Sequence, residues 1–404
     1  MSIRSLAAGG DGVARLPDGL ALFVPLSAPG DRVRVRIVER RRRFARGEIS
    51  EVLEEGPKRC APRCAVFGRC GGCSWQHLEY SAQVGAKQEI LREALVRIGG
   101  WKLPDELAFV PSPDSYGYRI RARLLAGRAG IGYRERASHT LCAVNGCPIL
   151  APALDAEVAR LGADENLVAD ASSEHEWELV AGQEGRVRSR PLELLDSPHA
   201  SDPPGGIVLT ADGDSLQVSF GTFVQANGSL HAALRAAVLG LAGRGRRALE
   251  LHAGAGFFTL ALARRFPEFE AVEASPGAVG DLRTNLRAAG LDHVRVIEGD
   301  VEQVLELGVS PAPELIFLDP PRAGLSPGSL ESLADLSAPR IVYLSCDPAT
   351  LARDTARLGE RGYCLASVQG FDLFPQTSHV EALALLVKSG SDDLRDSALL
   401  GDQG

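Results

Sequence analysis

No apolar run in this 404-residue chain is long enough to cross a bilayer; the longest, such as LALFV at 20–24 and ALALLV at 382–387, are far too short. The N-terminus lacks a basic-then-apolar targeting pattern, and there is no internal repeat or extended low-complexity tract. These absences exclude a helical membrane protein and a solenoid. The expected setting is the cytoplasm, with no membrane partner and a monomeric chain. An excess of positive charge is also missing: the net charge is −8, which by itself argues against a nucleic-acid binder. What is present is ordinary for a globular protein, 45% hydrophobic and 24% charged residues, and the length suggests two or three domains.

The charge is unevenly spread. Residues 1–60 carry twelve Lys/Arg against eight Asp/Glu, and Arg32, Arg34, Arg36, Arg40, Arg41, Arg42, Arg43 and Arg46 form a dense stripe. Such a stripe could neutralise phosphates despite the acidic total, or could be a solvated strand face. Eight cysteines are too few for a disulfide framework in so long a chain, and four fall within 60–73. Cys64-x5-Cys70-x2-Cys73, followed much later by Cys147, offers four thiolates for zinc or for an iron-sulfur cluster; spacing alone leaves both open, with His77 and Cys60 as further candidates for a zinc site.

Three parts follow from the patterning. Residues 1–58 alternate short apolar runs with Gly and Pro, including 20–24 and the strand VRVRI at 33–37, which reads as a small β-barrel. Residues 59–215 mix the cysteines with a helix at 82–98, a strand YRIRARL at 118–124 and an acidic irregular stretch at 164–178. Arg119, Arg121 and Arg123 alternate on one face of that strand, as a second basic face or an ordinary solvated one. In residues 216–404 apolar strands at 248–251, 271–273, 294–297, 315–318 and 341–345 alternate with helical segments, implying a parallel sheet covered by helices, an α/β fold.

Chemistry-bearing residues gather at the ends of those strands. The first strand runs into Gly254-Ala-Gly256, where glycines let backbone approach a ligand, but Thr259 replaces the third Gly of a dinucleotide fingerprint. Glu273, Asp300 and Asp319 follow the next three strands. Each alone is more often a cap or loop residue; repeated at matching positions they suit a nucleoside carrying a sulfonium charge, S-adenosylmethionine. Asp319-Pro-Pro-Arg322 resembles the loop of adenine amino-methyltransferases, but Arg322 stands where those enzymes place a stacking aromatic residue. Cys346 follows the fifth strand, and Glu381 enters an otherwise apolar one. A lone buried Cys is most often structural. Paired with a carboxylate at the reactive edge, it fits covalent activation: thiolate addition to C6 of uracil makes C5 nucleophilic, and a base then removes the C5 proton.

The motifs FVQAN, AGAG, LDPPRAG, SCDPATLARD and SHVEALALL occur in the order seen in the RNA uracil-5-methyltransferases, which this chain resembles over nearly its whole length. The resemblance implies a Rossmann-like class I methyltransferase domain, preceded by a small TRAM (OB-like) RNA-binding barrel and a central α+β iron-sulfur domain. It implies Cys346 as nucleophile and Glu381 as general base. Gln225, His252, Gly254, Gly256, Glu273, Asp300 and Asp319 would line the cofactor and uracil pocket, and Cys64, Cys70, Cys73 and Cys147 would carry a 4Fe-4S cluster. Two positions depart from the family, His252 where an aromatic residue is frequent and Phe257 where a polar one is common. Within the family, a TRAM domain with a cluster resembles the enzymes acting on 23S rRNA, with tRNA as the alternative substrate. Cys60 falls outside the ligand pattern, and Cys142 and Cys364 read as packing residues. A cytosine-5 methyltransferase and a non-catalytic RNA-binding protein are the competing readings.

Overall fold

The computed structural model describes residues 1–164, 174–192, 207–308 and 311–390. They fall into two compact units, within residues 1–90, 114–177 and 374–379, and within residues 91–113, 178–373 and 380–404; both sets of ranges include chain beyond the described residues.

The first unit opens with β1 (Ser5–Leu6), β2 (Gly12–Arg15), β3 (Ala21–Val24), β4 (Arg32–Arg40) and β5 (Phe44–Glu54), in the order β1-β2-β3-β5-β4. Alternation in β3 sends Leu22 and Val24 inward, where they pack with Ile3, Ala14, Leu16, Val33 and Ala45. The arginine stripe lies on β4, but its register against β5 sets Arg32 opposite Glu54, Arg34 opposite Glu51 and Arg36 opposite Glu48. Each of these arginines forms an ion pair with the glutamate facing it. Arg40 pairs with Asp18, and Arg41 and Arg46 share Glu39. The stripe is therefore largely neutralised within the barrel. Arg42 and Arg43, exposed at the hairpin tip, belong to none of these pairs.

After the barrel come α1 (Tyr80–Arg97) and β6 (Ala108–Val110), then an antiparallel meander of β7 (Arg121–Gly127), β8 (Gly130–Arg134) and β9 (Leu141–Ala143), and α2 (Pro152–Gly162). The strand expected at 118–124 is displaced towards 121–127 because residues 117–119 are engaged elsewhere. Gly117 N donates to Pro148 O at 2.9 Å, Arg119 N to Ile149 O at 3.0 Å, and the Tyr118 hydroxyl to Pro375 O at 3.0 Å. Neither a second basic face nor a solvated one is formed by Arg119, Arg121 and Arg123 together: Arg121 is buried, and Arg119 faces the cysteine cavity described below. Of the acidic stretch at 164–178, residues 165–173 lie outside the described residues, and the last four open β10 (His175–Ala181), which β11 (Val187–Pro191) follows.

In the second unit a hairpin of β12 (Ile207–Ala211) and β13 (Asp214–Val218) precedes α3 (His231–Ala242) and the main sheet. Strands and helices then alternate: β14 (Arg247–Leu251), α4 (Thr259–Ala263), β15 (Glu268–Glu273), α5 (Pro276–Ala288), β16 (Val294–Glu298), α6 (Val301–Leu307), β17 (Leu315–Leu318), α7 (Pro327–Asp335), β18 (Arg340–Ser345), α8 (Pro348–Glu360), β19 (Tyr363–Phe371) and β20 (Glu381–Lys388). The sheet order is β16-β15-β14-β17-β18-β20-β19-β6, with β14 to β18 parallel and β20 antiparallel to both neighbours. All of β17 and nearly all of β18 and β20 are buried, as expected for strands covered on both faces. The strand reversal at β14 and β17 opens the crevice where such sheets bind ligands. Among the described residues no helix is long and apolar enough to cross a membrane.

One buried pair fixes the exit of the barrel. The Asp31 carboxylate accepts from Ala28 N at 2.7 Å, Gly56 N at 2.8 Å and Arg59 Nη2 at 2.6 Å. Burial works against its ionised form, but the Arg59 guanidinium and these backbone donors prevail and hold the carboxyl below its ordinary value. Asp31→Asn is expected to cost about 3 kcal/mol at pH 7, measured by denaturant unfolding. Because the folded-state pKa is depressed, this advantage of the native chain is complete above the unfolded carboxylate pKa, roughly pH 4, and fades as pH falls below it. A difference that stays constant down to about pH 2 would refute the assignment.

Candidate active site

The crevice is built from backbone outwards. Beyond β14 the chain turns through His252, at φ +61°, and Gly254 to Gly256, at φ +96°. At φ +96° a side chain on Gly256 would be strained, and its Cβ would sit 2.8 Å from Leu282 Cδ1 of α5, so glycine suits this turn. Glu273, at the end of β15, holds the loop: its Oε2 accepts from Gly254 N at 2.9 Å and its Oε1 from Ser275 N at 2.8 Å. Asp300 caps α6, its Oδ1 accepting from Glu302 N at 2.9 Å. His252 and Asp300 line a cavity of about 420 Å³ together with residues 323–327 and Arg353. That volume is in the range of small-molecule sites. Burial pulls the His252 imidazole below its ordinary pKa, against the charges of Glu273 and Asp300, and its buried Nε2 has no hydrogen-bond partner. A neutral ring with a free polar atom at a cavity wall suits contact with a ligand.

A second cluster forms around the end of β18. Ser345 lies opposite Ala382 in the antiparallel β18–β20 ladder, and one further step of that register sets Cys346 against Glu381. Antiparallel β20 is the reason an acid at a strand's beginning meets a thiol at another's end. Asp319 follows β17, the other neighbour of β18, and accepts a hydrogen bond from Gln225 Nε2 at 3.1 Å. Gln225 is itself fixed by its carbonyl, which lies 2.8 Å from His231 Nε2. Glu381 is 3% exposed. Its carboxyl is pushed well up by burial and then by the Asp319 charge. Asp319 is pushed up to about 7 by burial, against the Gln225 hydrogen bond. The Cys346 thiol is pushed up to about 12, first by burial, then by Glu381 and Asp319, with Arg322 the cation acting the other way. A half-buried thiol, a buried carboxyl facing it and an amide-bound acid beside them can carry nucleophilic addition and proton removal.

Sequence reasoning missed Glu250. It sits inside β14, 1% exposed, with Oε2 unpartnered, and burial, reinforced by Asp319 and Glu273, pushes its carboxyl up to about 8 against the Thr259 hydroxyl. The signal was available: an acid inside an apolar strand, the rule that selected Glu381.

In the first unit Cys64, Cys70, Cys73 and Cys147 line one cavity with Phe67, Arg119 and Tyr133. All four thiols are free, and burial followed by the other thiols pushes Cys73 up to about 12. Tyr133 hydroxyl lies 3.8 Å from Cys147 Sγ, and Gly72 N lies 3.4 Å from Cys70 Sγ. Among the described residues no group of His, Cys, Asp or Glu is arranged to hold a single metal ion. Cys60 does not line this cavity and points to Gln76 O. Cys142 is buried as expected, whereas Cys364 is exposed on β19 and is not a packing residue.

Comparison with known proteins bears on both units. A family model described as tRNA (Uracil-5-)-methyltransferase matches residues 309–389, and a TRAM domain model matches residues 2–50. The chain is 36% identical to a Chromohalobacter salexigens protein named 23S rRNA (uracil(1939)-C(5))-methyltransferase RlmD, over 96% of this chain and 89% of that one. It is 34% identical to the protein of the same name from Edwardsiella ictaluri, over 94% of this chain and 93% of that one. The crystal structure of Pyrococcus abyssi tRNA (uracil-54, C5)-methyltransferase with S-adenosyl-L-homocysteine superposes with a TM-score of 0.75 at 25% identity, covering 96% of this chain and 100% of that one.

The raised Cys346 thiol has a direct readout. Iodoacetamide labelling of Cys346 in the free protein, followed by peptide mass spectrometry, is expected to keep rising through about pH 10, because only the thiolate reacts. Arg322→Ala should slow labelling further at each pH. A plateau below about pH 9 would contradict the burial argument.

Proposed function

The chain belongs to the RNA uracil-5-methyltransferase family and methylates RNA uracil at C5 with S-adenosylmethionine; from that premise we propose that its substrate is 23S ribosomal RNA and that Cys346 and Glu381 carry the chemistry. The single observation that supports this reading most is the antiparallel β18–β20 ladder, which ends at Ser345 opposite Ala382 and so brings Cys346 and Glu381 to adjoining strand ends, near enough for the Glu381 charge to raise the Cys346 thiol. The rRNA assignment leans on two full-length relatives named for 23S rRNA, at 36% and 34% identity, against the more distant tRNA enzyme at 25%.

Bound S-adenosylmethionine supplies the methyl group as an electrophile. The residues of the chain do the rest. Cys346, once its proton has passed to solvent, adds to C6 of the uracil as the thiolate; the C6–S bond forms as the C5–C6 π pair moves into an enolate over C5 and O4, which makes C5 nucleophilic. Gln225 and Asp319, bonded to each other beside the thiol, are placed to hold the polar edge of the base. After methylation C5 carries both the new methyl group and its original hydrogen. Glu381 takes that proton, the C5–C6 double bond re-forms and the C6–S bond breaks, returning the thiolate. Glu273, the glycines 254 and 256, His252 and Asp300 form the donor's side of the crevice. A base buried in a helix must be swung out to reach this site, so a loop or unstacked uridine is the expected target.

The modules at 1–58, 59–215 and 216–404 then divide the labour as RNA grip, cluster domain and catalytic domain, in a cytoplasmic monomer. For the grip, Arg42 and Arg43, exposed and outside the ion pairs of the stripe, are available to phosphate. Cys64, Cys70, Cys73 and Cys147 fit a 4Fe-4S cluster: four free thiols line one cavity, with an amide and a phenol directed at sulfur. In this reading the cluster is held in the first unit and takes no part in the methyl-transfer steps.

Cys346→Ala should abolish 5-methyluridine formation while donor binding and melting temperature persist; retained activity would overturn the mechanism. Glu381→Gln should accumulate a denaturant-resistant protein–RNA adduct, visible as a gel shift, because elimination stalls. With methyl-labelled donor and unmodified RNAs, label in 23S rRNA alone is expected, and label in tRNA alone would replace the substrate. Anaerobically prepared protein should carry about four irons and four sulfides per chain, and Cys70→Ser should lose them.

A further inference from the structure

The second half of the motif that carries the nucleophile, residues 348–354, has no part in the chemistry above. It forms the start of α8, whose N-terminus Asp347 caps by accepting from Thr350 N at 2.9 Å. Three of its side chains reach back to the segment that follows Asp319. Thr350 Oγ1 donates to Arg322 O at 3.0 Å. Arg353 Nη2 donates to Ala323 O at 2.8 Å. Asp354 Oδ2 accepts from Leu325 N at 3.2 Å.

Asp354 is the centre of this arrangement. It is 0% exposed, and besides Leu325 N it takes the Tyr343 hydroxyl at 2.8 Å and Arg353 Nε at 2.7 Å. A buried carboxylate is tolerated only when its lone pairs are filled in this way. Between the pinned residues, Gly324 has φ +72°, and a Cβ there would lie 2.3 Å from Asp354 Oδ2 and 2.4 Å from Thr350 Cγ2. The segment therefore lies against α8 at closest backbone approach. On its other side Ala323, Gly324 and Leu325, with Arg353 itself, line the 420 Å³ cavity that also contains His252 and Asp300.

We infer that Arg353 and Asp354, assisted by Thr350, are positioning residues for the methyl donor: they fix the 322–325 wall of its cavity and tie it to the helix that begins beside Cys346. The inference rests on the reading of that cavity as the donor site. Tyr343, one of Asp354's donors, stands in β18 three residues before Cys346, so the strand that carries the nucleophile and the wall of the cavity share one buried carboxylate.

The test is a comparison of steady-state constants in the full-length enzyme. Arg353→Ala is expected to raise KM for S-adenosylmethionine roughly tenfold or more, the scale of losing charge-assisted hydrogen bonds, with kcat at saturating donor and KM for RNA changed less than about threefold. Arg353→Lys should recover little, because one ammonium cannot bond a carboxylate and a backbone carbonyl in the planar fork geometry of a guanidinium. A merely structural role would lower melting temperature and leave the donor KM unmoved, and that result overturns the inference. Should Arg353→Ala fail to fold, Thr350→Val removes only the bond to Arg322 O and should still raise donor KM about threefold; an unchanged value again overturns it. Asp300→Ala separates the two levels of argument. Raised donor KM there, with none in Arg353→Ala, rejects only the positioning role; no change in either variant rejects the cavity as the donor site as well.

Discussion

The cost of burying acids shapes the second unit. Glu250 and Glu381 are buried and Asp319 is partly so, at or near the crevice end of β14, β20 and β17, and burial is the leading cause of the upward shift of each. An ionised Asp319 penalises the charge of both Glu250 and Glu381, so the three carboxyls resist being ionised together. A ligand that brings a positive charge relieves the conflict, and a sulfonium does so without donating a proton. Burial first, and then the charges of Glu381 and Asp319, push the Cys346 thiol up as well, with Arg322 as the opposing cation.

Topology explains how these groups meet. Parallel strands β14 to β18 deliver their carboxyl ends to one edge, which accounts for Glu273, Asp300, Asp319 and Cys346. Glu381 begins its strand, and only the antiparallel insertion of β20 beside β18 brings a strand's start to the same edge. The site therefore depends on one departure from a uniformly parallel sheet. Backbone donors do much of the fixing: Glu273 is held by two amide groups and Asp300 caps a helix, so the ordinary roles of these acids and their proposed ligand roles coexist. A carboxylate oxygen has lone pairs enough for both.

Much of this was legible in the sequence because the signals were local. Strand ends, the Gly254 turn and an acid inside an apolar strand each follow from a short window, and the five strands predicted from 248 to 345 occur within a few residues of their expected places. What escaped needed partners far along the chain. The arginine stripe could not be seen as neutralised, because its glutamates lie on β5 at spacings altered by register shifts between β4 and β5. Residues 117–119 left their expected strand for bonds to residues 148, 149 and 375. Cys364 reads as a packing residue by type, and only the exposure of its strand position shows otherwise. Glu250 carries the same local signal, an acid inside an apolar strand just before the Gly254–Gly256 turn.

The self-paired hairpin of the barrel changes what RNA binding would mean for this protein. A polyanion that captures Arg34 or Arg36 must first displace Glu51 or Glu48, so each new contact frees an internal carboxylate. The usual gain, release of condensed counterions from the nucleic acid, is offset by ions taken up around the liberated glutamates. Affinity carried by such a surface falls only gently as ionic strength rises, and indiscriminate attraction to any phosphate chain is weak. Discrimination is then left to contacts that reward shape, with charge serving the two arginines at the hairpin tip.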